Sequence, residues 1–133
     1  LRLEKHQENT LKVIKWMTKQ KKITKILYPY KTSSKENKLW KKYYSGASGL
    51  LSIIIKSKSK SSVYKFVNSL KLFGIGYSWG GYSSLAVYNH PVEMGKRHFF
   101  SLEKNCHLIR IHIGLEDPND LINDLKKSLK YIK

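Results

Sequence analysis

The sequence predicts an α+β domain of two layers, a four-stranded, mainly antiparallel or mixed sheet with helices on one face. Three observations carry that expectation. A chain of 133 residues has the length of one domain with one core. Its apolar residues switch repeatedly between helical spacing and the period of two that marks a strand. Short strands interleaved with helices bury their apolar sides most simply as helices laid on a sheet.

The first element spans Leu3 to Gln20, where Leu11, Ile14 and Met17 recur at three-residue intervals with Val13 and Trp16 beside them, a one-sided amphipathic helix. Ile23, Leu27 and Tyr28 then suggest a short strand, ended by Pro29 and the polar cluster KTSSKEN. A small helix over Lys35 to Tyr44 follows. Gly49 to Lys56, GLLSIIIK, is a β-branched and aliphatic run too short for a helix, hence a strand covered on both faces. KSKSKSS reads as a polar loop, and Val63, Phe66, Val67 and Leu70 place a helix over Ser62 to Leu70. In LFGIGY the alternation of Phe73, Ile75 and Tyr77 with Leu72, Gly74 and Gly76 predicts the third strand, and a long loop punctuated by NHP at Asn89 to Pro91 follows it.

The last third is the most explicit. In HLIRIHIG, Ile109, Ile111 and Ile113 face one way while Leu108, Arg110 and His112 face the other, a half-buried strand from His107 to Gly114. Arg110 is thereby turned away from the isoleucine core, toward solvent or a cover outside this chain. The closing helix starts where Asp117 can cap, Pro118 suits the first helical position and Asp120 adds first-turn charge. Leu121, Leu125, Leu129 and Ile132 form its apolar stripe, and Lys126, Lys127, Lys130 and Lys133 complement its negative end.

Composition narrows the function. At 41% hydrophobic the chain falls in the globular range. It holds no run of about 18 apolar residues, and its first residues lack a signal peptide's apolar stretch, so no membrane partner and a cytoplasmic location are expected. Cys106 is the lone cysteine and can make no internal disulfide, in keeping with a reducing compartment. The formal charge of +17 would suit a polyanion, but all except Arg2, Arg97 and Arg110 of the 26 basic residues are lysine, whereas surfaces that read bases or fork phosphates favour arginine. Lys, Ile, Asn and Tyr are abundant together, as A/T-rich codons produce without selection for nucleic acid. The five histidines, His6, His90, His98, His107 and His112, show no metal-ligand spacing.

Gly76-Tyr77-Ser78-Trp79-Gly80 spells G-x-S-x-G, the turn that presents a nucleophilic serine in α/β-hydrolases. That chemistry needs a helix after the serine and a histidine oriented by an acid. Gly80-Gly81 are poor helix formers, and Asp117, Asp120 and Asp124 all follow the last histidine. Ser78, Glu93 or Glu103, then His107 would keep the order, on a chain about half the usual length for that fold. The nucleophile reading is rejected.

A more specific resemblance covers nearly the whole chain. SLKLFGIGYSWGGYSSLAVYNHP resembles the small-domain segment of the cystathionine β-lyase family of pyridoxal-phosphate enzymes of Cys/Met metabolism, and LIRIHIGLEDPNDLINDLKKSL is similar to that family's closing segment. GASGLLSIIIK resembles a third family segment, and LRLEKHQENTLKVIKWM resembles the helix that joins the two domains. The resemblance implies that residues 1–133 form the C-terminal small domain of fold-type I architecture, in an enzyme converting cystathionine to homocysteine, pyruvate and ammonia. It implies that Arg110 clamps the substrate α-carboxylate and that Tyr77, Ser78 and Trp79 border the substrate. A planar guanidinium fork suits a carboxylate. Ser83 stands where the family has Glu, which removes a carboxylate from the local polar network. The family's cofactor lysine lies in an S-x-T-K context, but Thr18-Lys19 and Thr24-Lys25 are preceded by Trp16 and Lys22 at the serine position. Pyridoxal phosphate would therefore be bound by a large domain absent from this sequence. The expected partners are the amino-acid substrate and a large-domain chain or a homo-oligomer, tetrameric in the family. The alternative is a remnant or a basic binding module without lyase activity.

Overall fold

The computed structural model describes residues 1–30, 35–89 and 102–133. Part of the expected KTSSKEN turn lies outside these residues, as do His90, Pro91, Glu93, Arg97 and His98. The elements run α1 (Arg2–Met17), β1 (Ile23–Leu27), α2 (Lys35–Tyr43), β2 (Leu50–Lys56), α3 (Lys60–Asn68), β3 (Leu85–Asn89), β4 (Cys106–His112) and α4 (Pro118–Ser128), closed by a 3-10 turn (Leu129–Tyr131). The sheet has four strands in the order β1-β2-β4-β3, and all three pairings are antiparallel. The predicted α+β architecture is the one formed.

One residue pattern fixes the layers. Ile53 lies opposite Ile109 and Leu51 opposite Ile111, so the odd-numbered side chains of β2 and β4 share a face. That face meets Val13, Ile14 and Met17 of α1, Val63 and Phe66 of α3, and Leu121 and Leu125 of α4 in a single core. Asp117 caps α4 through the Asn119 N–H at 2.7 Å, with Pro118 in the first turn, as its sequence predicts. Ser59, from the stretch read as a loop, caps α3 instead: its side chain accepts the Ser62 N–H, and the helix starts two residues early.

Two expectations are corrected. The third strand is Leu85–Asn89, inside the expected long loop, and not Leu72 to Tyr77. The earlier segment contributes only an isolated parallel bridge, in which the Gly74 N–H donates to Ser84 O at 3.0 Å and Gly74 O accepts the Ala86 N–H at 2.9 Å. Its alternation is not read out by burial, since Phe73 is buried while Ile75 is 70% and Tyr77 62% exposed. Secondly, the far face of the sheet is partly covered by this chain itself. Ile54, Cys106 and Leu108 form a small second cluster with Leu27 and Leu102, and His112 is buried.

Polar side chains tie the elements together at positions that no periodicity or motif marks. The peptide N–H groups of Lys71 and Leu72 both donate to one oxygen of Asp124, at 2.9 and 2.8 Å, fastening the segment after α3 to α4. Asn9 in α1 donates to the carbonyls of Gly114 and Glu116 at 3.2 and 3.1 Å, so α1 grips the turn between β4 and α4. Most buried polar groups in folded proteins are paired in this way.

Candidate substrate-binding edge

The run I-G-L-E-D explains how this domain presents a loop. Ile113 enters the core and donates its N–H to Gly49 O at 2.9 Å. Gly114 follows because the chain segment 82–84 passes directly over its Cα, and its N–H donates to Ser84 Oγ at 2.8 Å. The Leu115 N–H donates to Tyr82 O at 2.8 Å. Glu116 then takes Ser84 at both oxygens, from the backbone N–H at 2.7 Å and from the hydroxyl at 2.9 Å. Asp117 begins the helix. Five consecutive residues thus serve core, close approach, loop anchor, loop clamp and cap.

What they hold is the segment from Tyr77 to Ser84. Tyr77 and Trp79 are each 62% exposed and Ser78 is exposed, so these aromatic surfaces are displayed and not packed. Arg110 reaches them from β4. Its side chain lies on the face opposite Ile109 and Ile111, one guanidinium N–H donates to Tyr77 O, and its Cζ stands 5.9 Å from the Tyr77 ring centroid. Among the described residues only Arg110 Nη1 is engaged in a hydrogen bond, and the other guanidinium N–H groups have the donor geometry for a carboxylate. The structure therefore brings Arg110 and Tyr77 together and places Ser78 and Trp79 on the same exposed segment. Ser83 is exposed too, and the polar network there runs through Ser84 and Glu116 without it.

Ser78 has no base. His107, the histidine that kept the hydrolase order, spends both ring nitrogens elsewhere: Nε2 lies 3.0 Å from Ser57 O and so carries the proton, and Nδ1 accepts from Tyr88 Oη at 2.8 Å. His112 Nε2 lies 3.1 Å from Gly81 O, a contact that likewise requires Nε2–H. Among the described residues no three His, Cys, Asp or Glu side chains gather as metal ligands. No helix among them is long and apolar enough to cross a membrane.

His112 also has a titration consequence. Burial, opposed by the Gly81 carbonyl, and the neighbouring His6 ring hold its pKa below the ordinary 6.5. The folded state then prefers neutral His112, while the unfolded chain takes a proton near 6.5. This contribution to stability is intact above that value and is lost as the pH falls beneath it. Denaturation midpoints measured from pH 7.5 down to about 5 should fall less steeply in His112→Gln than in the parent chain. Parallel slopes would refute the assignment.

Neither lysine nor unspent carboxylate bonds to residues 77–81 among the described residues. Among the described residues the side chains that do are Arg110, at Tyr77 O, His112, at Gly81 O, and Asn89, whose Oδ1 accepts from Tyr77 Oη at 3.4 Å. The guanidinium fork of Arg110 has the chemistry to take a carboxylate, and among the described residues this segment is bonded by neither the lysine nor the unspent acid that pyridoxal phosphate needs for its aldehyde and ring nitrogen.

Comparison with known proteins places the chain. The profile of a family described as Cys/Met metabolism PLP-dependent enzyme matches residues 1–130. Cystathionine beta-lyase of Escherichia coli is 37% identical over 127 residues, covering 94% of this chain and 32% of that protein. L-alanine/L-glutamate racemase of Wolbachia pipientis is 40% identical over 131 residues, covering 96% and 32%. A crystal structure of a Campylobacter jejuni protein described as an O-acetylhomoserine (thiol)-lyase superposes with a TM-score of 0.74 at 31% identity, covering 96% of this chain and 28% of that one. The chain spans about a third of the length of the curated relatives it matches.

Proposed function

The chain belongs to the Cys/Met metabolism PLP-dependent enzyme family, and we propose that residues 1–133 are the C-terminal substrate-binding domain of a carbon–sulfur β-lyase that converts cystathionine to homocysteine, pyruvate and ammonia. Relatives of similar identity are named for a β-lyase, a racemase and, in mouse, a cystathionine gamma-lyase, so identity alone does not choose the reaction. The observation that carries the reading is Arg110, turned off the core onto an exposed loop of Tyr77, Ser78 and Trp79. In this reading its guanidinium binds the α-carboxylate, the Tyr77 carbonyl fixes its rotamer, and the rings of Tyr77 and Trp79 wall the substrate from water. Pyridoxal phosphate belongs to a large domain, carried by a partner chain or by the rest of a longer protein. No step of its chemistry is assigned to residues of this chain.

The chain alone should neither retain pyridoxal phosphate through gel filtration nor turn over cystathionine. With a large-domain partner supplied, Arg110→Lys keeps the charge but loses the planar fork, and kcat/KM should fall at least ~10-fold, about 1.4 kcal/mol. Turnover by the isolated chain, or an unchanged kcat/KM in the variant, refutes the corresponding half.

The charge of +17 is in this reading a solvated lysine surface and not a nucleic-acid site. Retention on a defined oligonucleotide at physiological salt would count against it and for a basic binding module.

A further inference from the structure

Two buried histidines lie behind the substrate edge, and the proposed reaction uses neither. His112 sits on β4 two residues beyond Arg110, on the same face of the strand and therefore about 7 Å further along it. Both reach carbonyls of one loop, Arg110 at Tyr77 and His112 at Gly81. Between these two anchors lie Ser78, Trp79 and Gly80. Gly80 has φ +78°, and nothing lies within 4 Å of where a Cβ would project from Gly80 or Gly81. Packing therefore does not hold the two glycines; the hydrogen bonds at either end do.

We propose that His112 is a positioning residue for the substrate edge: backed by the His6 ring, its Nε2–H holds the Gly81 carbonyl and so fixes the far end of the Tyr77–Gly81 segment. This deepens the reading of that segment as the substrate edge and rests on it for its catalytic consequence. The backing is specific. His6 Nδ1 lies 2.7 Å from Ile113 O and must carry the proton there, which ties α1 to the residue after His112. The two rings stand 5.0 Å apart, tilted by 49°. Each ring spends its proton on a carbonyl, so His6 Nε2 and His112 Nδ1 are left as bare, buried acceptors without partners. Rotating either ring to satisfy its bare nitrogen would surrender the carbonyl it holds. A pair in which each member is confined to one tautomer and one orientation is a rigid post, and the loop is tied to it.

Order on the loop can be measured without any enzyme activity. Backbone 15N relaxation of the 133-residue chain should give rigid amides at Trp79 to Gly81, with order parameters near 0.85, falling below about 0.6 in His112→Leu. His112→Gln, whose amide N–H reaches where Nε2–H does, should restore them. Amides of β2 and of Leu108 to Ile111 should stay rigid in all three. The idea is overturned if His112→Leu leaves the loop ordered, if β2 loosens as much as the loop, or if Gln fails to restore order. Should His112→Leu not fold, ring 15N shifts of the parent chain still decide, because a neutral His112 protonated at Nδ1 could not hold Gly81. These readouts fail only if the hold on the loop is wrong, whereas an unchanged Arg110→Lys enzyme fails the functional reading itself.

Discussion

Gly114→Ala should destabilise the domain by about 3 kcal/mol or more, at the upper end of what overpacking costs. A methyl at this position would fall inside van der Waals contact with the Tyr82 carbonyl oxygen and a Glu116 carboxylate oxygen, and only 2.7 Å from the Ser84 nitrogen. None of these neighbours can yield cheaply. Tyr82 O is held by the Leu115 N–H, and Glu116 holds Ser84 at both oxygens. Relief requires the 82–84 segment to lift off β4, which breaks the clamp that presents Tyr77, Ser78 and Trp79. The variant should thus lose both stability and, in an assembled enzyme, kcat/KM. Chemical denaturation of the full chain is the check, and a loss under about 0.5 kcal/mol, the ordinary surface range, would mean that the close approach is not real.

Ile111→Ala should cost about 2–4 kcal/mol. Ile111 is 0% exposed, pairs with Leu51 on β2 and Ala86 on β3, and packs among the core residues contributed by α1, α3 and α4. Truncation would leave a cavity in the close-packed core between the sheet and its helices. An effect within about 0.5 kcal/mol would show that β4 faces the other way. The same result would also remove the basis for Arg110, whose exposure follows from alternation along that strand.

The two variants separate stability from presentation. Ile111→Ala weakens the platform from beneath and should leave the Tyr82, Ser84 and Glu116 bonds in place in the folded fraction. Gly114→Ala attacks those bonds directly. A comparison of Trp79 environment in the two, at equal folded fraction, should show a change only in the second.

The sequence by itself determined most of the core-forming elements, β4 and α4 above all. Period-two spacing in HLIRIHIG put Ile109, Ile111 and Ile113 in the core and Arg110 on the other face, and Asp117-Pro118 marked the start of α4 to the residue. These succeed because strand alternation and helix capping are local, set by backbone geometry within a few residues. The resemblance in YSWGGY and IGLED also led to the family, but not to what the second motif does. Only the tertiary structure decided that Glu116 clamps Ser84, that His6 and Asn9 of α1 grip the β4–α4 turn, and that His112 holds Gly81. Those pairs join residues 31 to 107 positions apart, and no periodicity records them. The same gap explains the misplaced strand. Phe73, Ile75 and Tyr77 alternate as well as Leu85 to Asn89 do, but β4 offers one free edge, and the later segment takes it because Glu116 and Gly114 fix Ser84 immediately before it.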